Sequence, residues 1–416
     1  MLKILWVCNT MLPDLFDRFG IKNEKEGWLT GISNELRKQE NIEFHFACPQ
    51  TRDNRIVNIK KRGIYFHCYY AKYNDLYTVK NEVRRQIRSI VDGVYPDIIH
   101  IFGTEMPHTI ACMDGIEEKE KVVISIQGMV SVYARYYLNG IHKSAYLMGG
   151  FVDGKYQTIM SQYKEFCKRS ENEIRAIKSA NHVIGRTDWD RACVKIINKR
   201  CNYYYCSETL RDCFYGNRWD INNIDRYSIF VCQGDYPIKG LHNLLEVLPA
   251  VVKEFPKTKV HVAGWSGFIQ KELPYGKYVR NIIEKKGLAE HISFTGMIGG
   301  KRICDFLLRS HIAIMPSNIE NSPNSIGEAM LVGTPVIAAY VGGIPSILNH
   351  GTEGLLYQHD SKEMFYYYIR KIFRDNSLAQ YLSANGKKRA EILYDKTRNL
   401  QQLLNIYDQI NNSKGW

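Results

Sequence analysis

Residues 317–348 read SNIENSPNSIGEAMLVGTPVIAAYVGGIPSIL. The stretch follows an apolar, strand-like run, HIAIMP (311–316), and contains a second one, TPVIAAY (334–340). Between them IGEAMLVG has helical spacing and stops at Gly333, the residue type that most readily ends a helix in the left-handed region. Strand, helix and strand in close succession predict a crossover joining two parallel strands. Ser322 predicts the N-cap, with Pro323 at the first helical position, where its missing N–H does no harm. The free N–H groups of such a helix point out of the carboxyl end of the preceding strand, where open α/β sheets bind ligands and where a phosphate is favoured. Glu328 then lies about one and a half turns into the helix, roughly 8 Å from its start, tilted back toward Asn324. Glu320 lies in the loop before that start. A ligand with phosphates at the helix end meets a carboxylate on either side, and a nucleotide sugar carries vicinal hydroxyls on both sides of its diphosphate. Taken singly, Glu320 reads as an ordinary loop charge and Glu328 as a solvated helix glutamate. With the helix start and the VGG turn (341–343), the set points to ligand binding.

Working outward, the same alternation runs through the chain. KILWVCNT, FHFACP, IYFHCYY, DIIHIFG, KVVISIQG and HVIGRT predict strands, separated by helix-like segments such as WLTGISNELRKQ and YTVKNEVRRQIRSIVDG. A second series, YSIFVCQG, KVHVAG, ISFTG, IAIMPS, PVIAAY and GLLYQ, follows the irregular polar stretch SETLRDCFYGNRWDINNIDR (207–226). The expectation is an α/β fold with two Rossmann-like domains facing each other across a cleft: 1–207, a linker at 208–226, and 227–395, with the final helix of 396–416 joining the first domain.

A chain of 416 residues, 45% hydrophobic and 24% charged, has ample material for two cores. No apolar run is long enough to span a bilayer, and MLKILWVCNTMLP lacks a small-residue cleavage site, so a cytoplasmic location is expected. The eleven cysteines are scattered through apolar runs, as in a reduced compartment, and Cys193, Cys201, Cys206 and Cys213 lack the paired spacing of a zinc site. A formal charge of +13 implies an anionic partner. Basic residues mix with tyrosines in NEVRRQIRSIV (81–91) and in residues 131–169, either as a solvated face or as a membrane or acceptor surface.

The 316–357 segment, PSNIENSPNSIGEAMLVGTPVIAAYVGGIPSILNHGTEGLLY, resembles the donor-binding region of the family 4 glycosyltransferases, retaining enzymes of the GT-B fold and, here, of the bacterial surface-polysaccharide type. The resemblance implies that Glu320 contacts hydroxyls of the donor sugar and Glu328 holds the ribose. EGWLTGISNEL resembles the Gly-rich turn after strand one, which implies that Gly27 approaches the donor diphosphate, although Glu26 stands where a first glycine is common. QGDYPIKGLHNLLEVLPAV resembles the turn whose lysine neutralises the leaving diphosphate, which implies that role for Lys239. Met297, in FTGMIGGKRICDFLLRS, falls in the turn that reads the base. Glu105, His108 and Gln127 fall at strand ends on the acceptor side, with His108 a candidate for a direct catalytic role beside Glu320 and Lys239. Three departures stand out: Gly234 where an arginine is frequent, Gln127 where a histidine is common, and Pro323 where a backbone N–H often touches the donor. Ser322, Asn324 and Ser325 are the expected substitutes for that lost donor.

The implied reaction transfers a hexose from a nucleoside diphosphate sugar to a hydroxyl of a glycan or lipid-linked glycan, by front-side displacement, with no metal and no cofactor. The Asp-x-Asp of GRTDWDRACVKI, Asp188 and Asp190, is expected to be the first turn of a helix capped by Thr187 rather than a metal site. Two other readings compete. A sugar-nucleotide epimerase of the same fold would convert the donor alone. A basic protein binding nucleic acid or membrane would have no use for Glu320, and nucleic acid is not expected as a partner. An anionic membrane surface is compatible with catalysis, placing the protein peripherally on the inner face of the plasma membrane.

Overall fold

The computed structural model describes residues 1–21, 29–71, 81–152, 154–264 and 273–412. The chain divides into two compact units: Met1–Val132 with Phe166–Leu210 and Tyr394–Trp416, and Tyr133–Glu165 with Arg211–Leu393. Residues 133–165, expected within a first domain of 1–207, group with the second unit. The segment expected as a linker, 208–226, is divided at Leu210 and Arg211.

Strands β1 (Leu2–Val7), β2 (Ile42–Gln50), β3 (Val57–Lys61), β4 (Ile64–Tyr70), β5 (Ile98–Phe102) and β6 (Val122–Ser125) belong to the sheet of the first unit. After the separate antiparallel ribbon of β7 (Gly149–Val152) and β8 (Lys155–Thr158), strands β9 (His182–Gly185) and β10 (Asn202–Tyr205) complete that sheet. Its order is β10-β9-β6-β5-β1-β2-β4-β3, parallel except where β3 pairs antiparallel with β4 at the edge. Both faces are covered. Along β1, Ile4 and Trp6 enter one core while Leu5 and Val7 enter the other, so a strand buried on two sides appears in sequence as an unbroken apolar run. The helix Lys396–Asn412 presents Leu400, Leu403, Ile406, Tyr407 and Ile410 to the core of Trp6. There Trp6 Nε1 donates to Tyr407 Oη at 2.9 Å, and His100 bridges Tyr407 Oη and Ser125 Oγ, each at 2.6 Å.

The second unit holds β11 (Asp225–Val231), β12 (Lys259–Ala263), β13 (Ile292–Gly296), β14 (Ser310–Met315), β15 (Val336–Ala339) and β16 (Leu355–Tyr357). They are all parallel, in the order β13-β12-β11-β14-β15-β16. Counted within the unit, that is 3-2-1-4-5-6, the doubly wound order whose direction reverses between its first and fourth strands. The first sheet reverses in the same way between β1 and β5. In each unit the crevice for a ligand therefore lies beyond the carboxyl ends of two defined strands: β11 and β14 in the second, β1 and β5 in the first.

Candidate functional site

The loops leaving β11 and β14 meet at the switch point of the second unit. The β11 loop ends in a short turn of helix, Pro237–Lys239, followed by Gly240 at φ +66°, which begins the helix Leu241–Glu254. A Cβ at Gly240 would overlap the carbonyl oxygen of Pro316 at the end of β14, so only glycine lets the two loops lie this close. Asn318 joins them. Its N–H donates to Ile238 O at 2.7 Å and its Nδ2 to Pro237 O and Asn139 O at 3.1 and 2.9 Å. Its Oδ1 accepts from Asn243 and His359 at 2.9 and 2.7 Å. Asn318 is 1% exposed, so a polar hub of this kind is stable only because its groups are satisfied.

On this frame Lys239 Nζ reaches Glu320 Oε1 at 2.7 Å, and Ser317 Oγ donates to the same oxygen at 2.9 Å. Burial works against the Lys239 charge, but the neighbouring Glu320, with Tyr236 and Asp235 adding to it, holds the ammonium above the usual lysine range. The Glu320 backbone is fixed as well: Gly343 N–H donates to its carbonyl at 3.0 Å, and a Cβ at Gly342 would strike that carbonyl. The VGG turn thus shapes the carboxylate loop. Asn321 N–H donates to Tyr133 Oη at 2.8 Å, which ties the same loop to the 133–165 segment.

The helix after this loop spans Asn324–Val332 and ends at Gly333, φ +94°. Its N-cap is Pro323, not Ser322, and no side chain caps it. The expected start is therefore one to two residues early. Pro323 takes the extended conformation of a cap (φ −70°, ψ 120°), and proline has no side-chain acceptor to offer the first turn. Ser322, Asn324 and Ser325 lie half-buried around this start. Glu328 is buried and accepts a bond from Arg211 Nη2 at 2.7 Å. Burial raises its carboxyl above the ordinary range while the Arg211 charge and hydrogen bond oppose the rise. Arg211 was not singled out from the sequence; it lies in the irregular polar stretch, where no period or motif marks it. Half-buried Cys232, just past β11, has its thiol pushed up by desolvation and by the Glu328 charge, with Arg211 and Lys239 opposing the rise.

Gly234 leaves no room for the arginine frequent at that position: a Cβ would come within 2.8 Å of Val262 Cγ1 and 3.0 Å of Leu241 Cδ2. It lines a small cavity with Asp235, Val262, Gly264, Phe294 and Gly296 at the carboxyl ends of β11 to β13. Met297, half-buried, follows directly on β13. Gly27 lies outside the described residues.

At the switch point of the first unit, Glu105 follows β5 through Gly103 at φ +82°. Its Oε2 is shut off from solvent with no hydrogen-bond partner, and burial, reinforced by Glu173 and opposed by Arg169, raises its carboxyl to about 7. His108 donates from Nε2 to Phe102 O at 2.9 Å, and burial lowers its imidazole to about 4, so it is a neutral interior group. Gln127, just beyond β6, bridges Glu208 at 3.0 Å and Arg186 at 3.2 Å. Asp190 is consumed by its own helix: its N–H donates to Thr187 Oγ1 at 3.0 Å, and its carboxylate accepts from Arg186 N and Tyr203 Oη.

Two doubly wound units in succession, the second with paired cations and carboxylates at its switch point, define the GT-B architecture. Sucrose-phosphate synthase from Thermosynechococcus elongatus has the same fold, with a TM-score of 0.74 over 100% of both chains at 13% identity. Anabaena HepE, solved in complex with UDP-glucose, gives a TM-score of 0.69 over 98% of this chain and 100% of its own at 15% identity. Residues 217–389 match the family described as glycosyl transferases group 1. Among curated relatives, the putative glycosyltransferase YtcC of Bacillus subtilis is 26% identical over 42% of this chain, and spore coat protein SA of the same organism is 23% identical over 41%. The matches span 43% and 46% of the length of those two relatives.

Proposed function

We propose that the protein is a retaining, metal-independent glycosyltransferase that moves a hexose from a nucleoside diphosphate sugar to a hydroxyl of a glycan or lipid-linked glycan in polysaccharide biosynthesis. The carrying observation is the double ion pair at the switch point of the second unit, Lys239 with Glu320 and Arg211 with Glu328. Its alternation of charge complements a ligand that alternates hydroxyl, phosphate and hydroxyl. Phosphate oxygens displace Glu320 from Lys239, and the freed carboxylate receives hydroxyls of the hexose. Glu328 keeps Arg211 on one oxygen and offers the other to the ribose, so Arg211 is a positioning residue that holds a buried carboxyl ionised. Met297 and the Gly234 cavity take the base. The complex of HepE with UDP-glucose supports UDP-glucose as the first donor to try.

In the reaction the bond from the anomeric carbon to the phosphate oxygen breaks while the acceptor oxygen bonds the same face. The acceptor proton passes to the departing phosphate oxygen. Lys239 and the amides at the start of the helix Asn324–Val332 stabilise the charge that grows on the diphosphate. Glu105 and Gln127 are assigned to the acceptor, and His108 to holding the end of β5.

Calorimetric binding of UDP and uridine tests this assignment. Lys239→Met is expected to weaken UDP by about ten to a hundredfold and leave uridine unchanged. Arg211→Met is expected to weaken both alike, because the ribose carboxylate is common to them. Loss of UDP alone in Arg211→Met would move Arg211 onto the diphosphate. Failure of the unmodified protein to bind any nucleoside diphosphate would end the donor reading.

A further inference from the structure

We infer that Tyr133 is a positioning residue for the donor hexose, acting through the backbone of the loop that carries Glu320. The inference rests on the proposed reading of Glu320 as the carboxylate for the sugar, and adds the group that sets its place. Residues 316–323 form neither helix nor strand, yet Ser317, Asn318, Glu320 and Asn321 are each 5% exposed or less. A buried stretch without a ladder of its own has to find hydrogen-bond partners elsewhere in the fold. This loop finds several of them in residues 133–142. Asn321 N–H donates to Tyr133 Oη at 2.8 Å, and Asn318 Nδ2 donates to Asn139 O at 2.9 Å. The same carbonyl accepts from His242 Nε2 at 2.9 Å, so one oxygen joins the Glu320 loop to the helix that follows Lys239. The 139–142 turn is anchored in its own right: Tyr278 Oη, on the helix Pro274–Lys285, accepts from His142 N at 3.3 Å and donates to Gly140 O at 3.4 Å.

These bonds bracket Glu320. Asn318 holds the loop two residues before it, Gly343 N–H holds its carbonyl, and Tyr133 holds the N–H of the residue after it. Rotation about the side-chain bonds is the motion this leaves to the carboxylate. Oε1 takes both Lys239 Nζ and Ser317 Oγ, at 2.7 and 2.9 Å, so the carboxylate has to leave Lys239 to receive a hexose hydroxyl. With its backbone pinned it leaves by a change of staggered rotamer and not by a shift of the loop, and it arrives at one defined place. Productive geometry tolerates an error of only about 0.5 Å. Lys239 and Glu328 have other supports: Asn318 and the close approach at Gly240 hold the Lys239 turn, and Arg211 holds Glu328. Tyr133 therefore bears on the hexose and not on the diphosphate or the ribose. The phenol suits the role, because its oxygen stands at the end of a rigid ring that is itself buried to 9% exposure.

The test is calorimetric binding of UDP, UDP-glucose, UDP-galactose and UDP-N-acetylglucosamine to the full chain, with GDP and GDP-mannose as a second pair. The ratio of the Kd of the nucleotide to that of its tightest sugar is the hexose increment. Tyr133→Phe keeps the ring and is expected to cut that increment by about three to tenfold, while the affinity for the nucleotide alone changes by less than about twofold. In a Glu320→Ala background the same substitution should leave the increment within about twofold, because Tyr133 acts through the carboxylate. Amide hydrogen exchange across 317–322 should quicken in Tyr133→Phe without any ligand, and that across 228–231 should not. An increment that Tyr133→Phe leaves intact, or an equal loss of nucleotide and nucleotide-sugar affinity, would overturn the inference and make Tyr133 a general stabiliser. Effects of Tyr133→Phe and Glu320→Ala that simply add would do the same, as would binding of a nucleotide with no increment for any of its sugars. Those results strike the inference and leave the nucleotide site standing, whereas failure to bind either UDP or GDP would end the donor reading and this inference with it.

Discussion

Glu105 sits in an environment at odds with what its type prefers. Its carboxyl is raised from 4.5 to about 7 by burial, and one oxygen is closed off from water and from every donor. The folded chain therefore holds a proton that the unfolded chain has already released. The resulting stabilisation is complete below the unfolded value and is lost as pH rises from 4.5 through 7, by roughly 3 kcal/mol in total. Glu105→Gln should equal the unmodified protein in urea midpoint at about pH 4 and exceed it at about pH 8, flattening the profile. A parallel pair of profiles would place the carboxyl in contact with solvent. At this scale the sequence carried the identity of the charged residues but not their pairing. Glu320, Lys239 and Glu328 stand in recognisable surroundings, whereas Arg211 becomes legible only when the fold brings it to Glu328.

At the scale of elements, two contacts carry more than their length suggests. Gly240 lets the Lys239 turn lie against Pro316, and Gly240→Ala would both strain a left-handed position and push the turn from the end of β14. Stability should fall by about 1–3 kcal/mol. UDP affinity should fall further than uridine affinity, because Lys239 moves while Glu328 does not. Tyr407→Phe removes the oxygen shared by Trp6 and His100 and leaves buried polar groups unpaired, for about 1–3 kcal/mol, read as a lower urea midpoint with an unchanged slope. All six strands of the second sheet and six of the first were legible, because strands buried on two faces read as continuous apolar runs. Those not marked in sequence were β3, β7, β8 and β10. VNIKK alternates half-buried with exposed residues, GGFV and KYQT form an isolated ribbon, and NYYY is an edge strand exposed at both its ends. The helix cap was misplaced for a similar reason: Ser-Pro-Asn-Ser offers several acceptable starts, and local propensity does not choose among them.

For the whole molecule, two separately cored units predict two calorimetric transitions. UDP at about a hundred times its Kd should stabilise only the second unit, by about 2.7 kcal/mol, while Tyr407→Phe should lower only the first. A common shift of both transitions by UDP would show that the nucleotide engages residues of each. The division also bears on how the chain is made. Trp6 is synthesised 401 residues ahead of its partner Tyr407. At about 5–20 residues per second, the apolar face of β1 waits roughly 20–80 s for the helix that covers it. Nascent first units are thus expected to be chaperone clients until the helix Lys396–Asn412 has emerged, whereas the strands β11 to β16 are complete by residue 357. The unit begun first is the one finished last.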